Sequence, residues 1–315
     1  MTKDGKPELL DVKDLNITFH MNDIRTEICS QVSFSIRQNE RVGLIGESGC
    51  GKTIVALSLL RLLPDNAAIS GHIDFHGLNL STCSDEEIQK VRGSEISMIF
   101  EQPKTCLNPV FSIGWQIRES VKKTSGLPDI DTRQKAKELL VSVGMDPARY
   151  HQYPHQMSGG MQQRVMIAMA MASNPQLLIA DEPTTALDLI HQAQILDLIK
   201  KKLSDSGASL FIITHDLDVA AELCDRIMVM YAGEIVEIRD IQDFINGPSH
   251  PYSIALVNAV HDQEFNPIPG VVPEFGNFPQ GCRFHPRCRV SSEICSFKTP
   301  QLRESGSGLV RCHFA

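Results

Sequence analysis

The sequence predicts an α/β fold built on a largely parallel sheet with helices on both faces. Three observations predict it. Short apolar runs recur at residues 42–45, 177–180, 210–213 and 227–230, each bounded by polar or glycine-rich residues. Amphipathic stretches lie between these runs; over 191–203, Ile195, Leu196, Ile199 and Leu203 recur at helical spacing. The run at 42–45 leads directly into a glycine-rich loop and then another helical stretch. Strands alternating with helices favour parallel pairing, because a crossover helix returns the chain to the same end of the sheet.

Composition sets the outer limits. Of 315 residues, 42% are apolar and 22% charged, a balance that buries a core and keeps a polar surface. The formal net charge of −8 argues against a broad nucleic-acid-binding face, which shows as a basic excess, so no nucleic-acid partner is expected. Residues 1–12 hold no apolar core of signal-peptide length, and no segment reaches the roughly 18 uninterrupted apolar residues of a spanning helix. The expectation is a cytoplasmic chain that meets a membrane only through a partner.

Two further elements can be read locally. Residues 131–143 read as a helix with Asp131 as N-cap and Gly144 closing the far end. Residues 266–286 hold five prolines and three glycines, the composition of an irregular linker. There is no internal repeat and no low-complexity tract.

The glycine-rich loop carries the first chemistry. Gly46-Glu47-Ser48-Gly49-Cys50-Gly51-Lys52-Thr53 fits G-x-x-x-x-G-K-[ST] immediately after an apolar strand. Glycines let successive backbone N–H groups turn inward around phosphate oxygens, and the helix starting near Lys52 adds its positive end. Lys52 reaches the β- and γ-phosphates in such a site, and the Thr53 hydroxyl ligates Mg²⁺. A second apolar run ends in Asp181-Glu182. Asp181 is placed to hold Mg²⁺ through water and Glu182 to polarise an attacking water. By itself an apolar run ending in two carboxylates is a strand leaving the core; the phosphate loop favours the catalytic reading.

Met157-Ser158-Gly159-Gly160-Met161-Gln162-Gln163-Arg164 opens a Met- and Ala-rich helical stretch. It resembles the signature of the ABC ATPases, L-S-G-G-Q, with Met157 for Leu and Met161 for Gln. The resemblance implies a site formed by the Ser158 hydroxyl and the Gly159 and Gly160 amides, with Met161 beside them, that binds the γ-phosphate held by an opposite subunit. Other elements follow in family order. Ala186-Leu187-Asp188 resembles the D-loop, and Thr214-His215-Asp216 resembles the switch histidine that senses γ-phosphate. Phe19 stands near the usual place of an aromatic that stacks on adenine, and reads equally as a core strand residue.

Tyr153-Pro154-His155-Gln156, Arg164-Val165-Met166-Ile167-Ala168 and His250-Pro251-Tyr252 resemble the dipeptide/oligopeptide/nickel branch of ABC importers. That resemblance implies a P-loop NTPase of the ABC type: a RecA-like parallel-sheet core, an antiparallel β subdomain and a helical subdomain, with a cysteine-rich C-terminal extension. It divides the chain into an ATPase domain over 1–260, with the helical subdomain at about 103–160, and an extension over 261–315. It implies ATP and Mg²⁺ as ligands and import of short peptides, or of nickel or another small solute. The implied partners are a second, related ATPase subunit, two membrane permease subunits and an extracytoplasmic binding protein. The chain itself would sit peripherally on the cytoplasmic face of the membrane. A soluble ABC ATPase of translation or repair is the rival reading; such chains carry two cassettes or long insertions, and neither is visible here.

One position departs from the family. At the Q-loop, Met98-Ile99-Phe100-Glu101-Gln102-Pro103 puts Glu101 in the glutamine position; a small backbone shift would present Gln102 instead. The stretch 104–120, with Trp115, would face the membrane subunit or form helical-subdomain core.

Five of nine cysteines are scattered over the first 281 residues, and Cys282, Cys288, Cys295 and Cys312 fall in the last 34. Their spacings are wider than short zinc knuckles. Four thiolates hold either zinc or a [4Fe–4S] cluster, and the family resemblance favours the cluster, with zinc second and bare thiols third. From Cys282 onward six Lys/Arg face two Asp/Glu, a balance suited to an anionic thiolate site.

Overall fold

The computed structural model describes residues 7–21, 24–125, 128–185, 187–261 and 268–315. The expectations placed on residues 1–6, Ala186, Asn266 and Pro267 lie outside them. The described chain forms two compact units, residues 1–83 with 213–315 and residues 84–212.

The first unit begins with two long antiparallel strands, β1 (Glu8–Met21) and β2 (Ile24–Arg37). After β3 (Arg41–Ile45) and helix α1 (Lys52–Leu59), β4 (Ala67–Phe75) and the short β5 (Leu78–Asn79) complete an antiparallel sheet ordered β2-β1-β4-β5. Val12, Leu15 and Ile17 of β1 are buried while Lys13 and Asp14 are exposed, so one face of β1 makes core. This is the antiparallel subdomain that the family resemblance implied.

The second unit is mostly helical. It contains α2 (Asp85–Val91), β6 (Ile96–Ile99), α3 (Pro103–Cys106), α4 (Ile113–Ser125), α5 (Asp129–Ser142), α6 (Gly159–Ala170), β7 (Leu177–Asp181) and α7 (Leu189–Ser206). β6 and β7 pair in parallel, and every residue of both is buried. Strands covered on both faces read as continuous apolar runs, which is why the run at 177–180 was legible. Helix α5 starts two residues before the expected Asp131. Pro128 is its N-cap and its carbonyl takes the Asp131 and Thr132 amides, leaving Asp131 in the first turn. Gly144 ends it at φ 74° as expected, in the left-handed region where glycine has no Cβ penalty.

β8 (Ser209–Thr214) carries the chain back to the first unit, where α8 (Leu217–Leu223), β9 (Arg226–Tyr231), β10 (Glu234–Asp240), α9 (Ile241–Asn246) and α10 (Pro251–His261) follow. β3 and β9 pair in parallel, Val42 to Ile45 against Arg226 to Val229. β10 turns back antiparallel on β9. Burying a Val, Ile or Met side chain stabilises by about 1.5–3 kcal/mol, so Ile227, Met228, Val229 and Met230, all fully buried, anchor this layer.

The extension is irregular over 268–284, as its prolines predict, and contributes the short helix α11 (Glu293–Phe297). It also adds what the sequence did not show. β11 (Arg303–Ser305) and β12 (Gly308–Val310) form a hairpin, and β12 pairs antiparallel with β10. The sheet is therefore antiparallel at this side rather than parallel throughout. No helix among the described residues is long and apolar enough to cross a membrane.

Candidate functional site

In the first unit, the loop between β3 and α1 is shaped by its glycines. A Cβ at Gly46 would run into the Met230 carbonyl oxygen, and one at Gly51 would press on the Cys29 sulfur. Gly51 caps α1 at φ 106° with no side-chain hydrogen bond, so the helix start is closed by backbone alone. Lys52 is buried and bends back over the loop. Its Nζ donates to the Gly46 carbonyl at 2.8 Å and the Glu47 carbonyl at 3.0 Å, poised where phosphate oxygens are held in such loops. Cys50 lies beneath, its sulfur 3.8 Å from Nζ, and burial pushes its thiol up, so it packs as a neutral side chain. Ser48 and Gly49 are exposed at the loop tip, and Thr53 is half-buried one position into α1.

Glu47 is gripped from both sides of its backbone. Its N–H donates to the Tyr252 hydroxyl at 2.9 Å. Its carboxylate accepts two hydrogen bonds from Arg287, at 2.8 and 3.1 Å. Neither partner was singled out for this role from sequence. Tyr252 stood only in a stretch that resembles a family branch, and Arg287 was one of six tail cations.

His215 is exposed just after β8, and Asp216 caps α8 by accepting the Asp218 and Val219 amides. Phe19 is half-buried on β1, opposite Thr26 and Ala67.

In the second unit, Asp181 is buried at the end of β7 and Glu182 follows at φ 45°, a left-handed conformation uncommon for a residue with a side chain. The Thr185 hydroxyl donates to the Glu182 carboxylate at 2.9 Å, fixing its direction. Ser158 caps α6 and its Oγ accepts the Met161 amide at 3.4 Å, while Gly159 and Gly160 supply the first helical N–H groups. A Cβ at Gly159 would meet nothing, which leaves that helix start open to close approach. Asp188 caps α7. The His191 N–H and ring nitrogen on its carboxylate hold its pKa down, which keeps the cap charged. Glu101 is half-buried after β6, and Gln102 is exposed as the N-cap of α3 with no side-chain capping bond. Nearby, Phe111 stacks on Trp115 at 4.0 Å between centroids, and Val110 is 70% exposed.

The four tail cysteines lie in one electrostatic neighbourhood. Burial pushes Cys282 up to about 11, with Cys295, Cys288 and Cys312 adding in the same direction. Burial raises Cys288 as well, aided by Cys312 and Cys295. Yet among the described residues no three His, Cys, Asp or Glu side chains are grouped to hold a metal ion. Zinc needs four sulfurs about 2.3 Å from one point; that arrangement is not present, and the cluster expectation gains nothing from this geometry. The tail cations are also otherwise engaged. Arg283 pairs with Glu27 and reaches Glu234, Arg287 takes Glu47, and Arg311 donates to the Ile235 carbonyl at 2.9 Å. Three of the six tail cations thus serve these carboxylates and carbonyls.

Comparison with known proteins places the chain in a family. A family model described as ABC transporter matches residues 29–185, and one described as oligopeptide/dipeptide transporter, C-terminal region, matches 236–295. The chain is 45% identical over 310 residues to a probable peptide ABC transporter ATP-binding protein, y4tR of Sinorhizobium fredii, covering 95% of this chain and 92% of that one. It is 42% identical to the oligopeptide transport ATP-binding protein OppD of Escherichia coli, covering 97% and 93%. Among solved structures, the dimeric post-hydrolysis state of the ATP-binding cassette MJ0796 with ADP and Pi matches at TM-score 0.66 and 27% identity, over 74% of this chain and 98% of that one.

Proposed function

We infer the function from the family: the chain belongs to the ABC transporter ATPases, in the group that carries the oligopeptide/dipeptide transporter C-terminal region. Within it, this chain is the ATP-hydrolysing subunit that powers import of short peptides through a membrane complex. The observation that carries the reading is the pairing, in one chain, of a phosphate loop with Lys52 held over it and an extension matched to peptide transporters.

In this reading the loop amides of 46–51 and Lys52 bind the β- and γ-phosphates, and Thr53 and Asp181 hold Mg²⁺. Glu182 orients a water and takes its proton as the oxygen attacks the γ-phosphorus, the bond from phosphorus to the bridging oxygen breaks, and ADP and phosphate leave. His215 and the Glu101–Gln102 pair monitor the γ-phosphate and Mg²⁺, and Phe19 stacks on adenine. Ser158, Gly159, Gly160 and Met161 close on the nucleotide of a second ATPase subunit, with Asp188 linking the two sites. The working complex then holds that second subunit, two permeases and an extracytoplasmic binding protein, with this chain on the cytoplasmic face. Val110, Phe111 and Trp115 form an apolar surface suited to a permease contact. The domain division at 260/261 belongs to the same reading, as does a [4Fe–4S] cluster on Cys282, Cys288, Cys295 and Cys312, which rests on the family resemblance of the tail and not on the geometry of the thiols. Iron and sulfide analysis of anaerobically purified protein tests it; stoichiometric zinc without iron would refute the cluster.

The main test is ATP turnover by the assembled complex with the binding protein loaded by dipeptides, longer peptides or nickel. Stimulation by peptides is expected. Stimulation by nickel alone, or turnover indifferent to any load, would overturn peptide import. Glu182→Gln in the same complex should bind ATP without steady-state turnover; normal turnover would remove Glu182 from the role of base.

A further inference from the structure

The Arg287–Glu47 pair joins two segments 240 residues apart, one in the cysteine-rich extension and one in the phosphate loop. It is bidentate, the geometry that most constrains a carboxylate. The arginine side chain is 5% exposed and the glutamate 29%, so the pair is only partly screened by water. Arg287 is itself fixed. Its Nε donates to the Pro269 carbonyl at 2.8 Å, and Nη1 reaches the Tyr231 hydroxyl at 3.4 Å. Tyr231 packs against Tyr252 and Phe284 with centroids 4.7 and 5.1 Å apart. Tyr252 in turn takes the Glu47 amide. Backbone and side chain of Glu47 are thus both anchored from C-terminal residues.

The electrostatics give this anchor a purpose. Glu47 is an anionic side chain within the loop that receives a polyphosphate. Unpaired, it would repel the ligand; paired with a fixed guanidinium, it presents no net charge. We propose that Arg287 is a positioning residue of the nucleotide site, which neutralises and orients Glu47 so that the phosphate loop accepts ATP. This rests on the assignment of residues 46–53 as the nucleotide site and extends it to the C-terminal extension. A purely structural role for Arg287, stapling residues 268–269 to the fold, predicts a different pattern, and the two separate by experiment.

ATP and ADP affinities are measured by equilibrium binding to the full chain, with melting temperature recorded for each variant. Arg287→Gln should weaken ATP about tenfold and ADP less, since ADP carries less charge, and the defect should shrink as salt is raised. Arg287→Lys should fall between, keeping the charge without the fork. The deciding variant is Glu47→Gln with Arg287→Gln, which removes the exposed charge and should return ATP affinity to within about twofold of wild type. Failure of that double variant to recover, or an Arg287→Gln affinity equal to wild type, overturns the proposal. Should Arg287→Gln not fold, Glu47→Gln alone decides: unchanged or tighter ATP binding supports the proposal and weaker binding refutes it. A wild-type chain whose ATP binding is absent or unaffected by Lys52→Ala would instead sink the nucleotide-site assignment itself.

Discussion

The starts of α1 and α6 are both glycine-rich, and they are held open by opposite means. At α1 the cap is Gly51 at φ 106° with no side-chain acceptor, and the loop before it depends on distant partners: Met230, Cys29, Tyr252 and Arg287. At α6 the cap is Ser158 in ordinary extended geometry, φ −67° and ψ 161°, and its own hydroxyl takes the Met161 amide. The first is a tertiary construction that the rest of its unit must complete. The second is local, a helix that four consecutive residues suffice to begin. The lesson is that two glycine-rich helix starts of similar composition carry different vulnerabilities.

The comparison can be pressed at both ends. The largest effect belongs to Lys52→Ala, expected to lower ATP turnover by about two to three orders of magnitude, because it removes the ammonium group held over the loop carbonyls. Turnover within tenfold of wild type would mean that the α1 loop is not the catalytic one.

Acid should find the tertiary construction first. His250 is fully buried and neutral, and its Nδ1 accepts the Tyr252 amide, so burial holds its pKa down to about 3. The folded value lies below the usual one near 6.5, so the stability it contributes is complete above pH 6.5 and is lost as pH falls toward 3. The loss reaches at most about 5 kcal/mol. Melting curves from pH 7 to 4 should show it, and His250→Asn should flatten the dependence.

Gly46→Ala should cost about 1–3 kcal/mol, since the new Cβ meets the Met230 carbonyl oxygen and the strand must shift. Chemical denaturation measures it, and a neutral result would show that the loop relaxes freely. The smallest effect is Ser158→Ala, about 1 kcal/mol for a lost N-cap, read by the same denaturation. A loss as large as that of Gly46→Ala would break the contrast between tertiary and local.

Legibility from sequence followed the same division. The loop at 46–53 was readable in full because its functional groups are contiguous, and β3, β7, β8 and β9 lay within a residue or two of their apolar runs. Both sides of each are covered, so hydrophobicity alone marks them. β1 and β2 alternate polar with apolar residues and carry register shifts, and no uninterrupted run announced them. The α5 start was misplaced because Asp131 looks like a cap, while Pro128, whose ring pre-sets the turn, sits just upstream. Arg287 could not be found: nothing local distinguishes it from Arg289, and its partner is fixed only by folding. The tail was legible only in part: the clustering of its thiols is plain in sequence, while the pairing of Arg283 and Arg287 with carboxylates in β2, β10 and the phosphate loop is set by folding.

The pairing of β12 with β10 has a consequence in time. During synthesis β10 leaves the ribosome well before its neighbour, with Glu237 and Ile238 waiting for Val310 and Leu309. Until those residues arrive, a strand buried along nearly its whole length has one open edge, the kind of template on which nascent chains stick to one another. Arg287 also emerges late, so the glycine-rich loop after β3 and the edge that invites aggregation are completed together. A ribosome that stalls over the extension would leave a chain both incompetent and adhesive.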